Sequence, residues 1–111
     1  MLFILLNFFE LACESGSSFL IKITYNTNEK SMAINWLKPS QTAGKKLPYL
    51  FTQCESIACR SIAPMMDTPA IKITYDAQVT VKSEFVVKMS ANETKVELSD
   101  DQIYKTYFFK N

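Results

Sequence analysis

The chain has 111 residues, 48% hydrophobic and 21% charged, with 12 Lys and Arg against 11 Asp and Glu for a net charge of +1. That is enough for one small domain or a piece of a larger one, and its near-neutrality removes the electrostatic case for nucleic acid or an anionic membrane. The chain has 0 His, which excludes a Ser-His-Asp triad, a Cys-His pair and a His-rich metal site.

The first segment, Met1 to Ala12, reads MLFILLNFFELA and is apolar except for Asn7 and Glu10. It falls well short of the roughly 20 residues a membrane-spanning helix requires, so no span is expected. Three readings stay open. It is a secretory leader, although no Lys or Arg precedes it and Glu10 lies near the cleavage region; or it is a buried segment; or the chain start is misplaced. Residues 1–18 are set apart as an apolar leader of uncertain status, and residues 19–111 as the folded body. Asn92-Glu93-Thr94 is a glycosylation sequon that matters only if the chain is secreted.

From Phe19 the pattern is strand-like. Phe19–Tyr25 places Ile21, Ile23 and Tyr25 on one face and Lys22 and Thr24 on the other. Asn26–Ser31 has turn chemistry. Met32–Leu37 alternates again, with Met32, Ile34 and Trp36 on one face and Trp36 as a core anchor. Lys38–Pro48 carries Pro39, Gly44 and Pro48 and reads as a loop. Tyr49–Phe51 is a short strand, Ser56–Arg60 one helical turn, and Pro64 and Pro69 enforce an irregular stretch around Asp67. Ile71–Val81 is the clearest strand, Phe85–Ser90 another, Asn92–Asp101 a polar, turn-rich stretch, and Ile103–Phe109 a last, apolar strand. Ile21–Tyr25 and Ile71–Tyr75 share the sequence IKITY; a single recurrence does not make a solenoid. The expected class is all-β and antiparallel.

The cysteines are Cys13, Cys54 and Cys59. An odd number cannot close into a full disulfide set, and four residues between Cys54 and Cys59 is not the spacing of a zinc knuckle or a redox pair. Three free thiols in a reducing compartment are expected.

The stretch Pro48–Lys72, PYLFTQCESIACRSIAPMMDTPAIK, carries a specific ordered pattern. With Trp36-Leu37 and Gln41-Thr42-x-Gly44 before it, the pattern runs Pro48-Tyr49-Leu50-Phe51, Gln53-Cys54, Arg60, Pro64, Asp67-Thr68-Pro69 and Lys72. It resembles the N-terminal β-domain of the gluzincin zinc aminopeptidases, most closely the leukotriene A(4) hydrolase and aminopeptidase B branch. The resemblance implies an antiparallel portion of a saddle-like β-domain. Enzymes of that family bind zinc through a His-Glu-x-x-His helix and a further Glu. With no His in this chain, no catalytic residue, no metal ligand and no cofactor are expected within it, zinc belonging to the parent enzyme.

In the family, the N-terminal domain lends a Gln-x-Glu or Gln-x-Gln segment to the substrate cleft. The matching residues here are Gln53 and Glu55 with Cys54 between them, so the resemblance implies that Gln53, Cys54 and Glu55 are substrate-binding. A carboxylate can bind the α-ammonium of a peptide by a charge-assisted hydrogen bond, and an amide can orient the first residue. Glu at position 55, where close leukotriene A(4) hydrolase relatives carry Gln, favours amine anchoring over epoxide hydrolysis. Cys54 should point away from its two neighbours if the segment is extended, and Arg60 and Asp67 are expected to pair across the Pro-rich bend. The chain is read as a partial N-terminal domain, inactive alone, with a peptide as partner only in a full-length, cytoplasmic parent. The alternative is a stand-alone β-rich binding module, secreted if residues 1–13 act as a signal peptide.

Overall fold

The computed structural model describes Gly16 and residues 21–111, so the apolar leader, Cys13 and the start of the first expected strand lie outside the described residues. The chain divides into two compact units, Met1–Ile71 and Lys72–Asn111. Among the described residues the elements are β1 (Ile34–Leu37), β2 (Tyr49–Thr52), β3 (Asp76–Lys82), β4 (Asn92–Leu98) and β5 (Tyr104–Lys110), with 3-10 turns at Pro39–Gln41 and Cys59–Ser61. The fold class is all-β, in two antiparallel sheets.

In the first unit, β1 and β2 pair with Trp36 opposite Leu50 and Leu37 opposite Tyr49. Pro39 ends β1, because it has no N–H to donate and its fixed φ suits the first position of a helical turn. That turn is closed by Gln41, whose N–H donates to the Lys38 carbonyl at 2.8 Å while its Oε1 accepts from the Lys38 N–H at 3.0 Å. On one face of the ribbon the Tyr49 and Phe51 rings lie 5.9 Å apart. The expected core face is not the buried one. Ala33 is fully buried, whereas Met32 is 84% and Trp36 56% exposed. Trp36 shares its face with Leu50 in a two-stranded ribbon, and alternation in sequence does not say which face another layer covers. Ile21–Tyr25 joins no ladder, which corrects the first expected strand: its alternation is present, its pairing is not.

In the second unit, β5 is the central strand, in the order β3-β5-β4. Val79 and Val96 both face Tyr107, and Ala77 and Glu93 both face Phe109. Tyr107 and Phe109, 5% and 3% exposed, form the core with Ala91, packed against Tyr75, Ala77, Val79, Val81 and Val87. The segment after β3 covers this face. The Tyr107 hydroxyl donates to the Phe85 carbonyl at 3.1 Å, and the Ala91 N–H donates to the Tyr75 hydroxyl at 3.0 Å. Phe85–Ser90 is therefore a covering strap and not the expected strand; its alternation reflects one-sided burial without a ladder.

Asn92–Leu98, expected as turn-rich, is instead edge strand β4. All seven of its residues are exposed, so polar side chains on both faces hid its strand character. Its ladder shifts between Glu93 and Lys95, a bulge where Thr94 donates its hydroxyl to the Phe108 carbonyl at 3.2 Å. Lys88 pairs with Glu93 at 2.8 Å, and Lys95 pairs with Glu97. Bulges and charges of this kind protect an exposed edge from pairing with other chains.

Candidate functional site: the Gln53–Glu55 segment

The segment begins where β2 ends. The Gln53 N–H donates to the carbonyl of buried Ala33 at 2.9 Å, extending the β1–β2 pairing by one bond and fixing where Gln53 leaves the ribbon. The chain then coils. The Ala58 N–H donates to the Cys54 carbonyl at 2.8 Å, and Ser61, Ile62 and Ala63 donate back along the 3-10 turn. This turn carries the expected single helical winding, displaced toward Cys59–Ser61.

The same winding brings Cys54 and Cys59 to a Cα separation of 4.7 Å, and they form a disulfide. That overturns the expectation of three free thiols. An odd count leaves one cysteine over without forbidding a pair, and it is the reversing turn, not the spacing in sequence, that sets the Cα distance a disulfide needs. Cys54 is half-buried, while Gln53 and Glu55 on either side are exposed. The two polar side chains thus face solvent about a covalently held residue. Among the described residues, Glu55 takes part in no ion pair.

Behind the segment the turn is tied down by side chains. The Ser31 and Ser61 hydroxyls are 2.7 Å apart, Ser61 donates to the Ala58 carbonyl at 2.6 Å, and Thr27 donates to the Ile62 carbonyl at 2.6 Å. Arg60 is clamped by Asp67: its backbone N–H reaches Asp67 Oδ2 at 2.9 Å, its Nε the same oxygen at 3.3 Å, and its Nη2 the Asp67 carbonyl at 2.5 Å. The expected pairing across the Pro-rich bend is present. With the Asp67 side chain only 11% exposed, the pair is better shielded from solvent than an ordinary surface bridge. A shallow hollow of about 200 Å³ lies beside this turn, lined by Ile23, Tyr25 and Thr27 and by Arg60, Ile62 and Pro64. Sequence reading did not single it out; two apolar stretches far apart in the chain gave no signal that they meet.

An antiparallel β-domain that presents an exposed Gln-x-Glu segment from a braced loop is the class these observations define. The chain matches the Peptidase M1 N-terminal domain over residues 4–111 and belongs to that family. The match takes in most of the apolar start. The chain is 44% identical over 96 residues to a leukotriene A-4 hydrolase of Xenopus laevis, covering 86% of this chain and 16% of that protein. It is 44% identical over 85 residues to a leucine aminopeptidase 2 of Yarrowia lipolytica, covering 72% of this chain and 13% of that protein. A leucine aminopeptidase 2 of Neurospora crassa is 39% identical over 94 residues, 81% of this chain and 14% of its own length. The chain therefore spans only about a sixth of the length of the curated relatives it matches.

The parent family is zinc-dependent. There is no His in the sequence. Among the described residues no three His, Cys, Asp or Glu side chains converge as a metal-holding group, and the one close thiol pair is spent on a disulfide. Nor is any described helix long and apolar enough to cross a membrane.

Proposed function

We infer that the chain supplies part of the wall that receives the amino terminus of a peptide in a zinc aminopeptidase of the M1 family, and that it does not catalyse by itself. Glu55 binds the substrate α-ammonium, Gln53 orients the first residue, and Cys54 positions both without touching the reacting bond. The β-domain portion is residues 19–111, and the parent acts in the cytoplasm. The observation that carries the reading is the exposed Gln53–Glu55 segment held at the end of β2, in a chain similar to leucine aminopeptidases. The chemistry is that of a carboxylate facing an ammonium, a charge-assisted contact stronger than a neutral hydrogen bond.

The test is a chimera in which this chain replaces the matching segment of the Yarrowia relative. In it, Glu55→Ala should raise KM for a leucyl anilide about tenfold or more, the loss expected of a hydrogen bond to a charged group, with kcat falling if the anchor also sets the geometry of attack. An unchanged kcat/KM would refute the role of Glu55.

A further inference from the structure

The disulfide lies where it can act on the site. Cys54 separates Gln53 from Glu55, and the covalent ring closed by Cys54 and Cys59 contains Glu55 itself. Both sulfurs belong to half-buried residues at an exposed loop, within reach of a small thiol. On the far side of the ring Cys59 adjoins Arg60, which Asp67 holds by three hydrogen bonds. Gln53 is held on the near side by Ala33. Glu55 thus sits in a loop with both ends fixed. Between those ends the Ala58 N–H bonds the Cys54 carbonyl, and the Ala58 and Cys59 carbonyls accept from Ser61, Ile62 and Ala63, but no hydrogen bond among the described residues reaches Glu55, Ser56 or Ile57, which the disulfide alone encloses. Opening the covalent bond leaves the hydrogen bonds at Cys54, Ala58 and Cys59 in place and frees the stretch that carries Glu55. In the reducing compartment proposed for the parent, a protein disulfide is as a rule transient and regulatory, not structural.

We propose that Cys54 and Cys59 form a reversible redox latch that sets the affinity of the Gln53–Glu55 segment for its ligand: closed, it holds Glu55 in place; open, it lets Glu55 disorder. The proposal rests on the reading of Glu55 as the amine anchor. The reductant is a low-molecular-weight thiol of the glutathione class. One thiolate attacks a sulfur of the pair, forming a mixed disulfide and releasing the other cysteine as a thiolate, which takes up a proton. A second thiol attacks the small-molecule sulfur of the mixed disulfide and frees the second cysteine. Two small thiols lose two electrons and leave as their disulfide, and the protein disulfide gains two electrons and two protons.

Two measurements decide it. In the first, the Yarrowia chimera, folded and then in denaturant, is equilibrated with glutathione redox buffers, trapped with maleimide and read by peptide mapping. The folded turn should favour the Cys54–Cys59 pair at least about tenfold over the denatured chain, because it presents the two thiols to each other. Equal pairing in both conditions, or free thiols throughout, overturns the latch. In the second, the Yarrowia chimera is assayed oxidised and reduced with a leucyl anilide. Reduction should raise KM about three- to tenfold, the cost of ordering a loosened side chain and its loop, with kcat changed by less than about twofold. Cys59→Ser should show the KM of the reduced enzyme in both buffers. A disulfide that forms without changing KM also overturns the proposal. Should Glu55→Ala leave KM unchanged while the pairing result stands, the amine-anchor reading fails and the latch loses its stated target; should Glu55→Ala raise KM while the thiols never pair, the latch alone fails.

Discussion

Glu55 and Gln53 are ordinary polar residues set apart by what holds them. The backbone of Gln53 is pinned to Ala33, and Cys54 is bonded to Cys59, so two exposed side chains leave a fixed stretch of chain. Asp101 is a second residue whose surroundings decide its behaviour. It accepts from the Ser99 hydroxyl at 2.5 Å and the Ile103 N–H at 2.9 Å, closing the β4–β5 turn in which Gln102 adopts φ 59°. These bonds, the Ser99 hydroxyl first, hold its carboxyl below the ordinary value of 3.8. The sign follows from linkage: between the folded and unfolded values the unfolded chain binds more protons, so stability rises with pH there. The contribution is complete above the unfolded value and is lost as pH falls through the folded one. Asp101→Asn keeps an acceptor oxygen but no titration. In the Yarrowia chimera, its urea midpoint should therefore fall less than that of the unsubstituted chimera on going from about pH 5 to about pH 2.5. Parallel losses would show that Asp101 does not contribute.

At the scale of elements, β1 was legible in its alternation and β2 and β5 in their apolar runs, each to within two residues, whereas β3 begins at Asp76, five residues after the expected Ile71. Alternation misread Phe85–Ser90 because it registers a covered face and not a ladder, whereas Ile21–Tyr25 alternates in sequence with Ile21, Ile23 and Tyr25 63%, 40% and 41% exposed. It missed β4, whose seven residues are all exposed. Strand order was not legible either. Nothing in the last, apolar strand Ile103–Phe109 says that β5 is paired on both sides while the charged β4 is an edge. The two buried rings of β5 therefore hold the second unit together. In the Yarrowia chimera, Phe109→Ala should lower the opening free energy of the β5 amides in hydrogen exchange by about 3 kcal/mol, the usual cost of truncating a buried Phe. Val96→Ala, at a side chain 43% exposed, should cost less than about 1 kcal/mol. Equal effects would mean that Phe109 is not the core of this sheet. At the site, the charges of Arg60 and Asp67 on either side of the Pro-rich bend foretold their pairing, and the resemblance singled out Gln53 and Glu55 for test, but residue spacing could not reveal that a turn brings Cys54 to Cys59.

For the whole molecule, apolar surface is the governing quantity. Among the described residues Met32, Trp36, Tyr49, Leu50 and Phe51 in the first unit, and Val86, Val96 and Leu98 in the second, are each more than a third exposed. Under the proposed place in a larger parent, that surface would be covered by neighbouring protein. Expressed without a fusion partner, the 111-residue chain should elute from size exclusion as associated species and show no cooperative thermal transition. A soluble monomer with a sharp transition would instead favour a self-sufficient binding module.

The central claim is that Glu55 recognises the positive charge of a peptide amino terminus, and one comparison isolates that charge. In the Yarrowia chimera, inhibition by leucinamide is measured against its uncharged isostere, 4-methylpentanamide, before and after Glu55→Gln. The account predicts that the wild type prefers the ammonium ligand by about tenfold or more, as a charge-assisted bond should, and that Glu55→Gln removes most of that preference while leaving affinity for the isostere nearly unchanged. A preference that survives the substitution intact would contradict the assignment of Glu55 and the function built on it.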